Sequence, residues 1–218
     1  MVDLAILSQA LPAIGTAAVV TVALTLAASL ISLVVGALSA AVQLGGGPIG
    51  YALSRTYVSL MRGTPLFVQL LVVYYGLPPI GIRGQAFLAA ALAIGLNSGA
   101  YTTEILRAAI LAVPRGQLEA ATTIGLTWGK IWRRIVLPQA FVTSLPMLTA
   151  EFTIVLKSTP LASVIAVTEM TYTGVLIQSR TYSASEVFLT IAVGYILIAQ
   201  VLMRLSRSLE RRTRRLRF

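Results

Sequence analysis

The longest uncharged stretch of the sequence runs from Leu4 to Ser54, without a single aspartate, glutamate, lysine or arginine. A membrane-spanning helix needs about 20 mostly apolar residues, so this stretch exceeds one simple span. Of the 218 residues, 57% are hydrophobic and 11% are charged. Ordinary soluble domains carry about 25% charged residues. The sequence therefore predicts an all-α integral membrane protein.

The composition also excludes several kinds of chemistry. The chain has no cysteine for a disulfide or thiolate metal site and no histidine for general-base chemistry. We therefore nominate no catalytic residue, metal ligand or cofactor in the chain. The net charge of +10 does not indicate nucleic acid binding, since seven arginines lie between Arg204 and Arg217. Beside a membrane span, such a tail marks the cytoplasmic side or contacts anionic lipid.

Five transmembrane helices are expected in one domain, residues 1–218. The "GGGP" at Gly45–Pro48 ends the first helix, and Pro12 is expected to separate it from a short amphipathic start. Because no basic residue precedes the apolar run, we expect no cleaved signal peptide. Dividing the first run into two spans is the alternative. The predicted spans are about 13–43, 57–81, 84–106, 135–157 and 186–206.

Basic residues predict the orientation of these spans. Three of the 17 lysines and arginines fall on one side of the membrane, namely Arg83, Lys157 and Arg180, which leaves 17 − 3 = 14 on the other. Lysine and arginine concentrate in cytoplasmic loops. The N-terminus is therefore expected outside and the C-terminus inside, with the loop of about 107–134 and the basic tail 204–218 in the cytoplasm.

The cytoplasmic loop contains the stretch "EAATTIGLTWGKIWRRIVLP", residues 119–138. Pro114 is well placed to begin a helix, and Gly125 to end one. The residues alone leave two interpretations open. One is an interfacial helix that covers the membrane surface; the other is a docking helix, with a charge at Glu119 and small residues that permit close approach.

The spacing of this stretch resembles the EAA loop of ABC-importer permeases. The loop has Glu-Ala-Ala, three residues, Gly, nine residues, Ile, one residue and Leu-Pro, as at positions 119–138 here. "RGTPLFVQL", "NSGAYTTEILRAAILAVPRGQ" and "LPQAF" are similar to the polar amino-acid branch of that family. The resemblance implies a type I importer permease. It also implies a coupling helix that enters a groove of the ATP-binding subunit and contains Glu119, Ala120, Ala121 and Gly125.

The resemblance also implies partners. The nearest approach to a phosphate loop, "GGGPIGY", lacks the Lys-Ser/Thr that reaches phosphate and magnesium, so ATP and Mg belong to a separate ATPase chain. Five helices are too few to enclose a path, and the family pairs two permease chains, identical or homologous. An extracytoplasmic solute-binding protein delivers the substrate, an amino acid or close derivative. The expected location is the bacterial inner membrane.

Ionisable residues within predicted spans are candidates for the substrate site, because charge inside a membrane is costly. Glu104 precedes Arg107 by three residues and is interpreted as its ion-pair partner. Glu151 has no basic residue within a helical turn. Pro160 disfavours helix before it, so the fourth span should end near Lys157, where the free carbonyls favour a cation. Glu151 and Lys157 would then hold the amino and carboxyl groups of an amino acid, unless Lys157 simply extends to the membrane surface.

Two further polar residues, Asn97 and Tyr101, share one face of the third span. They either complete the substrate pocket, as the resemblance implies, or form hydrogen bonds between helices. Ser158 and Thr159 are also included in the predicted substrate site. The polar amino-acid branch often reads Leu-Lys-Asp-Thr-Ser-Leu where this chain has "LKSTPL". Because Ser158 replaces an acid, uncharged polar side chains are expected over cationic ones.

Two other classes of membrane protein share this composition. A secondary transporter or channel predicts an internal repeat, and none is found in the sequence. A membrane scaffold with a basic cytoplasmic tail needs neither an intramembrane Glu151 nor the spacing of residues 119–138. The segment 162–185 is expected outside as short helices, either as part of a gate or as a platform for the binding protein.

Overall fold

The structure is a computed structural model that describes residues 4–76, Pro79 and residues 86–214. Regular secondary structure in these residues is helical throughout. The helices are α1 (Leu4–Gly45), α2 (Gly47–Gly63), α3 (Leu66–Gly76), α4 (Ala86–Leu111), α5 (Arg115–Thr123), α6 (Trp128–Ile131), α7 (Leu137–Ser158), α8 (Met170–Thr181) and α9 (Ala184–Arg214). A π-helical turn, Trp132–Val136, joins α6 to α7, and a 3₁₀ helix, Thr159–Ile165, follows α7.

Four helical stretches of the described residues are long and apolar enough to cross a membrane, namely Leu11–Gly45, Ala86–Leu111, Trp128–Ile165 and Ala184–Arg211. The helices α2 and α3 meet at an angle of 108° and supply a fifth span if they cross the membrane as one broken element. The predicted all-α membrane fold with about five spans is therefore confirmed. Asp3, Arg83 and residues 215–218 of the basic tail lie outside the described residues.

Pro12 lies within a continuous helix, whereas Pro65 separates two helices. Helix α1 continues through Pro12, where the sequence predicts a division, and the hydroxyl of Thr16 donates to the Pro12 carbonyl at 3.0 Å. Membrane helices tolerate internal proline when neighbouring groups satisfy the backbone. Pro65 instead breaks the span predicted at 57–81: Thr64 is extended, at φ −119° and ψ 145°, as expected for a residue before proline.

The centre of the fold is the contact between α1 and α4, the most extensive helix pair. Glycines let the two backbones approach, as is common where membrane helices pack. A Cβ at Gly95 would lie 2.7 Å from the Cβ of Ile31, and one at Gly36 would lie 2.6 Å from the Cβ of Thr102. Leu24 and Ile94 are buried in the same contact. This helix pair is the base against which α7 packs.

The segment 162–185 is organised around a fully buried carboxylate, Glu169. The carboxylate caps the N-terminus of α8 and accepts from the backbone N–H groups of Thr171 at 2.9 Å and Tyr172 at 2.7 Å. The hydroxyl of Tyr195 on α9 donates to the same carboxylate at 2.8 Å. The hydroxyls of Tyr195 and Thr159 lie 3.0 Å apart. One hydrogen-bond network therefore joins α8, α9 and the chain that follows α7.

The close contact at Gly36 predicts a strong effect of a single methyl group. Gly36→Ala should lower the stability of the purified protein in detergent by about 1–3 kcal/mol, because the new Cβ meets Thr102. The matched control is Gly15→Ala, in the same helix, where a Cβ meets nothing within 4 Å. The control should be neutral or stabilising by up to about 1 kcal/mol. Equal unfolding midpoints for the two variants would contradict the role given to this contact.

Candidate functional site

A cavity of about 210 Å³ lies between the start of α3, the middle of α4 and α7. Its apolar wall includes Leu66, Ile94 and Val155. Its polar groups are Asn97, Ser98, Tyr101, Glu151 and Ser158. The fold therefore brings four of the six predicted substrate-binding residues around one space. Ser98 is the polar residue in this set that the sequence analysis did not nominate.

Glu151 is only 6% exposed and is held by a chain of hydroxyl groups. Ser98 Oγ donates to Glu151 Oε1 at 2.8 Å, and Ser32 Oγ donates to Ser98 Oγ at 3.0 Å. A serine hydroxyl has one proton, so Thr102 Oγ1, 2.8 Å from Ser32 Oγ, donates to Ser32. These three hydroxyl groups thus all donate in the direction of Glu151. The buried carboxylate is therefore stabilised by residues of both α1 and α4.

The hydroxyl chain is the part of the site that sequence reasoning missed. Serine and threonine are frequent in membrane helices, where they often bond only to their own backbone. Thr103, for example, donates to the carbonyl of Gly99. Ser32 and Thr102 meet only because α1 and α4 pack at Gly36. The one signal within the sequence was the position of Ser98 beside Asn97.

Asn97 lines the cavity and also holds the bend between α2 and α3. With the amide oriented to satisfy its neighbours, Nδ2 donates to the Met61 carbonyl at 2.9 Å and to Gln69 Oε1 at 3.1 Å. Gln69 Nε2 donates to the carbonyls of Met61 at 2.9 Å and Thr64 at 3.2 Å. Asn97 therefore lines the cavity and also forms hydrogen bonds between helices, so the structure contains a feature of each of the two interpretations.

Tyr101 carries a cation on its ring. The guanidinium carbon of Arg62, near the end of α2, lies 5.0 Å from the ring centroid, within the range of a cation–π contact. One turn further along α4, Arg107 Nη2 lies 2.7 Å from Glu104 Oε2, which is the ion pair predicted from the sequence. Glu104 therefore already has a partner, whereas Glu151 has no cation beside it in the described structure.

Two of the predicted substrate residues do not line the cavity. Lys157 is exposed, in the last turn of α7. Thr159 is fully buried, and its one hydroxyl proton is shared between the Leu156 carbonyl at 2.8 Å and the Tyr195 oxygen at 3.0 Å, because Tyr195 donates its own proton to Glu169. Helix α7 ends at Ser158, close to where Pro160 predicts its end. The chain then turns into a 3₁₀ helix, which carries Thr159 away from the cavity and into the Glu169 network.

The predicted coupling segment forms the short helix α5 and a turn. Gly125 has φ +78°, a left-handed conformation that suits glycine, and its N–H donates to the Thr122 carbonyl at 2.9 Å. Ala121 is buried in a small apolar cluster with Ile131 and Val136. Glu119 and Ala120 are exposed. The cluster anchors α5 through Ala121 and leaves Glu119 and Ala120 facing outwards.

Comparisons with known proteins agree with this architecture. The family described as "Binding-protein-dependent transport system inner membrane component" matches residues 32–215. The L-cystine transport system permease protein TcyB of Bacillus subtilis (strain 168) is 49% identical over 114 residues, 52% of this chain and 49% of that protein. The glutamine transport system permease protein GlnP of Escherichia coli (strain K12) is 37% identical over 182 residues, 83% of each chain.

A solved structure, described as an amino acid ABC transporter with histidines, contains a chain of the same fold. Its TM-score is 0.89 at 35% identity, over 97% of this chain and 99% of that chain. The resemblance found in the sequence is thus confirmed, and the secondary-transporter and scaffold alternatives are set aside. The chain belongs to the binding-protein-dependent transport system inner membrane components, as a permease subunit of an ABC importer.

Proposed function

We propose that this permease subunit carries a polar amino acid or a close derivative, and that Glu151 binds its ammonium group. The observation that carries the proposal is the placement of Glu151 as a buried carboxylate on the wall of the cavity, beside Asn97 and Tyr101. Ser98 donates to Oε1, and Oε2 has no donor among the described residues. An ammonium group would supply the missing partner.

The names of the relatives support this class of substrate. TcyB is named for L-cystine and GlnP for glutamine. Both molecules carry an ammonium and a carboxylate on the same carbon. A cavity with one buried acid suits that shared part of an amino acid, so Glu151 determines the class of substrate rather than its side chain.

The single acid also bears on side-chain preference. Ser158 stands where the related sequences often have aspartate, and its hydroxyl donates to the Ile154 carbonyl at 2.9 Å. Glu151 is the one acidic residue that lines the cavity in the described structure. If it binds the ammonium group, a cationic side chain has no second acid. Uncharged polar side chains are therefore preferred.

Glu151→Gln should weaken transport of the substrate several hundred-fold or more, since leaving a buried charge without its partner costs roughly 3–5 kcal/mol. The measurement is uptake of a panel of amino acids by reconstituted permease–ATPase complexes, with the binding protein kept constant. Glu186→Gln, the same change in the first turn of α9, is the matched control and should transport normally. Transport by Glu151→Gln at the wild-type rate would place the substrate elsewhere.

The same panel of amino acids tests the preference for uncharged polar side chains over cationic ones. Ser158→Asp restores an acid to the cavity wall, so the relative uptake of arginine and lysine should rise. An unchanged preference would mean that the binding protein alone determines specificity.

We further propose that α5 couples the permease to its ATPase. The family implies an ATPase partner and a binding protein. We propose that the ATPase binds ATP and Mg. Glu119 and Ala120 are exposed at the end of the molecule that carries Lys130, Arg133 and Arg134. Their support by the buried Ala121 keeps α5 in place while its outer face is free to dock.

Glu119→Lys should leave the protein inserted but reduce substrate-stimulated ATP hydrolysis, because it reverses the charge on the docking face. Gly125→Ala should act similarly, since a left-handed alanine is strained by roughly 1–2 kcal/mol. Its matched control is Gly129→Ala in α6, where φ is not positive and a Cβ meets nothing within 4 Å. Unchanged substrate-stimulated hydrolysis in reconstituted Glu119→Lys complexes would refute the coupling role.

The proposed assembly has two permease chains, identical or homologous, with the N-terminus of each outside and the C-terminus in the cytoplasm. The distribution of lysine and arginine supports this orientation. A cytoplasm-active fluorescent reporter fused after Phe218 should therefore be active, and an alkaline phosphatase fusion at the same point should be inactive. The reverse pair of results would overturn the orientation.

A further inference from the structure

The carboxylate of an amino-acid substrate needs hydrogen-bond donors. Most donors around the cavity already bond to acceptors within the protein. The amide of Asn97 donates to the Met61 carbonyl and to Gln69, Ser98 donates to Glu151, and Ser158 donates to a backbone carbonyl. Among the polar residues lining the described cavity, Tyr101 is the one with an uncommitted O–H. A neutral phenol alone is a weak partner for a desolvated carboxylate.

Arg62 is the cation placed to meet this need. Its guanidinium lies on the ring of Tyr101, at 5.0 Å from the centroid, and Tyr101 lines the cavity. Arg62 is also four residues before Leu66, another residue of the cavity wall. Arg62 makes no hydrogen bond with the described residues, so its N–H groups are available as donors.

The charges near Arg62 make this end of the cavity positive. Glu104 is paired with Arg107 and also lies within the electrostatic influence of Arg55 and Arg62. Among the described residues, only Arg107 forms an ion pair with Glu104, so the charge in this region is net positive. Glu151 lies beside Ser98, and Arg62 lies beside Tyr101 just outside the residues that line the cavity. One negative and one positive group therefore flank the polar wall, which matches the two charges of a zwitterion.

The residues that contact the two charged groups lie close together along α4. Ser98, which holds Glu151, and Tyr101, which lies under Arg62, are three residues apart on α4, a rise of about 4.5 Å. No ion pair joins Glu151 and Arg62 within the described residues, so both charges remain available to a substrate.

We propose that Arg62 binds the carboxylate of the substrate, opposite Glu151, in the role that the sequence assigned to Lys157. Arg62 is exposed in the last turn of α2, immediately before the break between α2 and α3, and its contact with Tyr101 places it beside α4. Broken helices build polar sites inside many transporters in this manner. The inference rests on the proposed amino-acid function.

The test is equilibrium binding to the purified permease–ATPase complex without the binding protein. The probes are the twenty radiolabelled amino acids, from which the tightest binder is taken, and the α-amide of that amino acid, which lacks the carboxylate. Arg62→Gln should weaken binding of the amino acid about a hundredfold. It should leave the weaker binding of the α-amide unchanged, which also shows that the variant is folded. Arg62→Lys should retain part of the affinity, and Arg180→Gln, on the exposed face of α8, should bind as the wild type does.

The possible outcomes separate this inference from the proposed function. Loss of binding in Glu151→Gln, with normal binding in Arg62→Gln, would keep the function and overturn the role of Arg62. A loss confined to Lys157→Gln would restore the assignment made from the sequence. An equal loss of amino acid and α-amide in Arg62→Gln would show a purely structural role. Normal binding in both Glu151→Gln and Arg62→Gln, or no amino acid bound by the wild type, would refute both proposals.

Discussion

The close contact between α1 and α4 is the constraint on which the rest of the structure depends. In a membrane, apolar surface gives little drive for helix association, so close packing and hydrogen bonds between helices must supply it. Gly36 and Gly95 permit the approach, since a Cβ at either would collide with a side chain of the partner helix. That approach brings Ser32 within hydrogen-bond distance of Ser98 and Thr102. The close packing of α1 against α4 and the hydrogen bonds between them therefore depend on each other.

The buried acid shows why the interface matters for transport. A carboxylate in a membrane protein is expensive unless donors surround it. Here the donors come from hydroxyls that α1 and α4 bring together, and only one oxygen of Glu151 is bound by them. The arrangement stabilises the carboxylate without saturating it. One oxygen of Glu151 is hydrogen-bonded and the other is left for the substrate. Such a site can bind a substrate and still release it.

Much of this structure was readable in the sequence, because the signals were local. Long uncharged runs indicated the spans, the spacing at 119–138 indicated the family, and the isolation of Glu151 indicated a polar site. Features that depend on tertiary packing were not readable. Arg62 was counted only as a basic residue near a membrane surface, because its contact with Tyr101 depends on how α2 packs against α4. Lys157 had the right charge, but helix position cannot tell which way a terminal side chain faces.

The carboxylate of Glu169 has a mechanical consequence. Its partner Tyr195 reaches Thr159, and Thr159 directly follows Ser158, which lines the cavity. Helix α8 and the wall of the cavity are thus connected through two hydrogen bonds between buried or half-buried groups, with no flexible loop between them. A displacement of α8 is therefore expected to move the end of α7 and the cavity wall with it, because Tyr195 bonds to both Glu169 and Thr159.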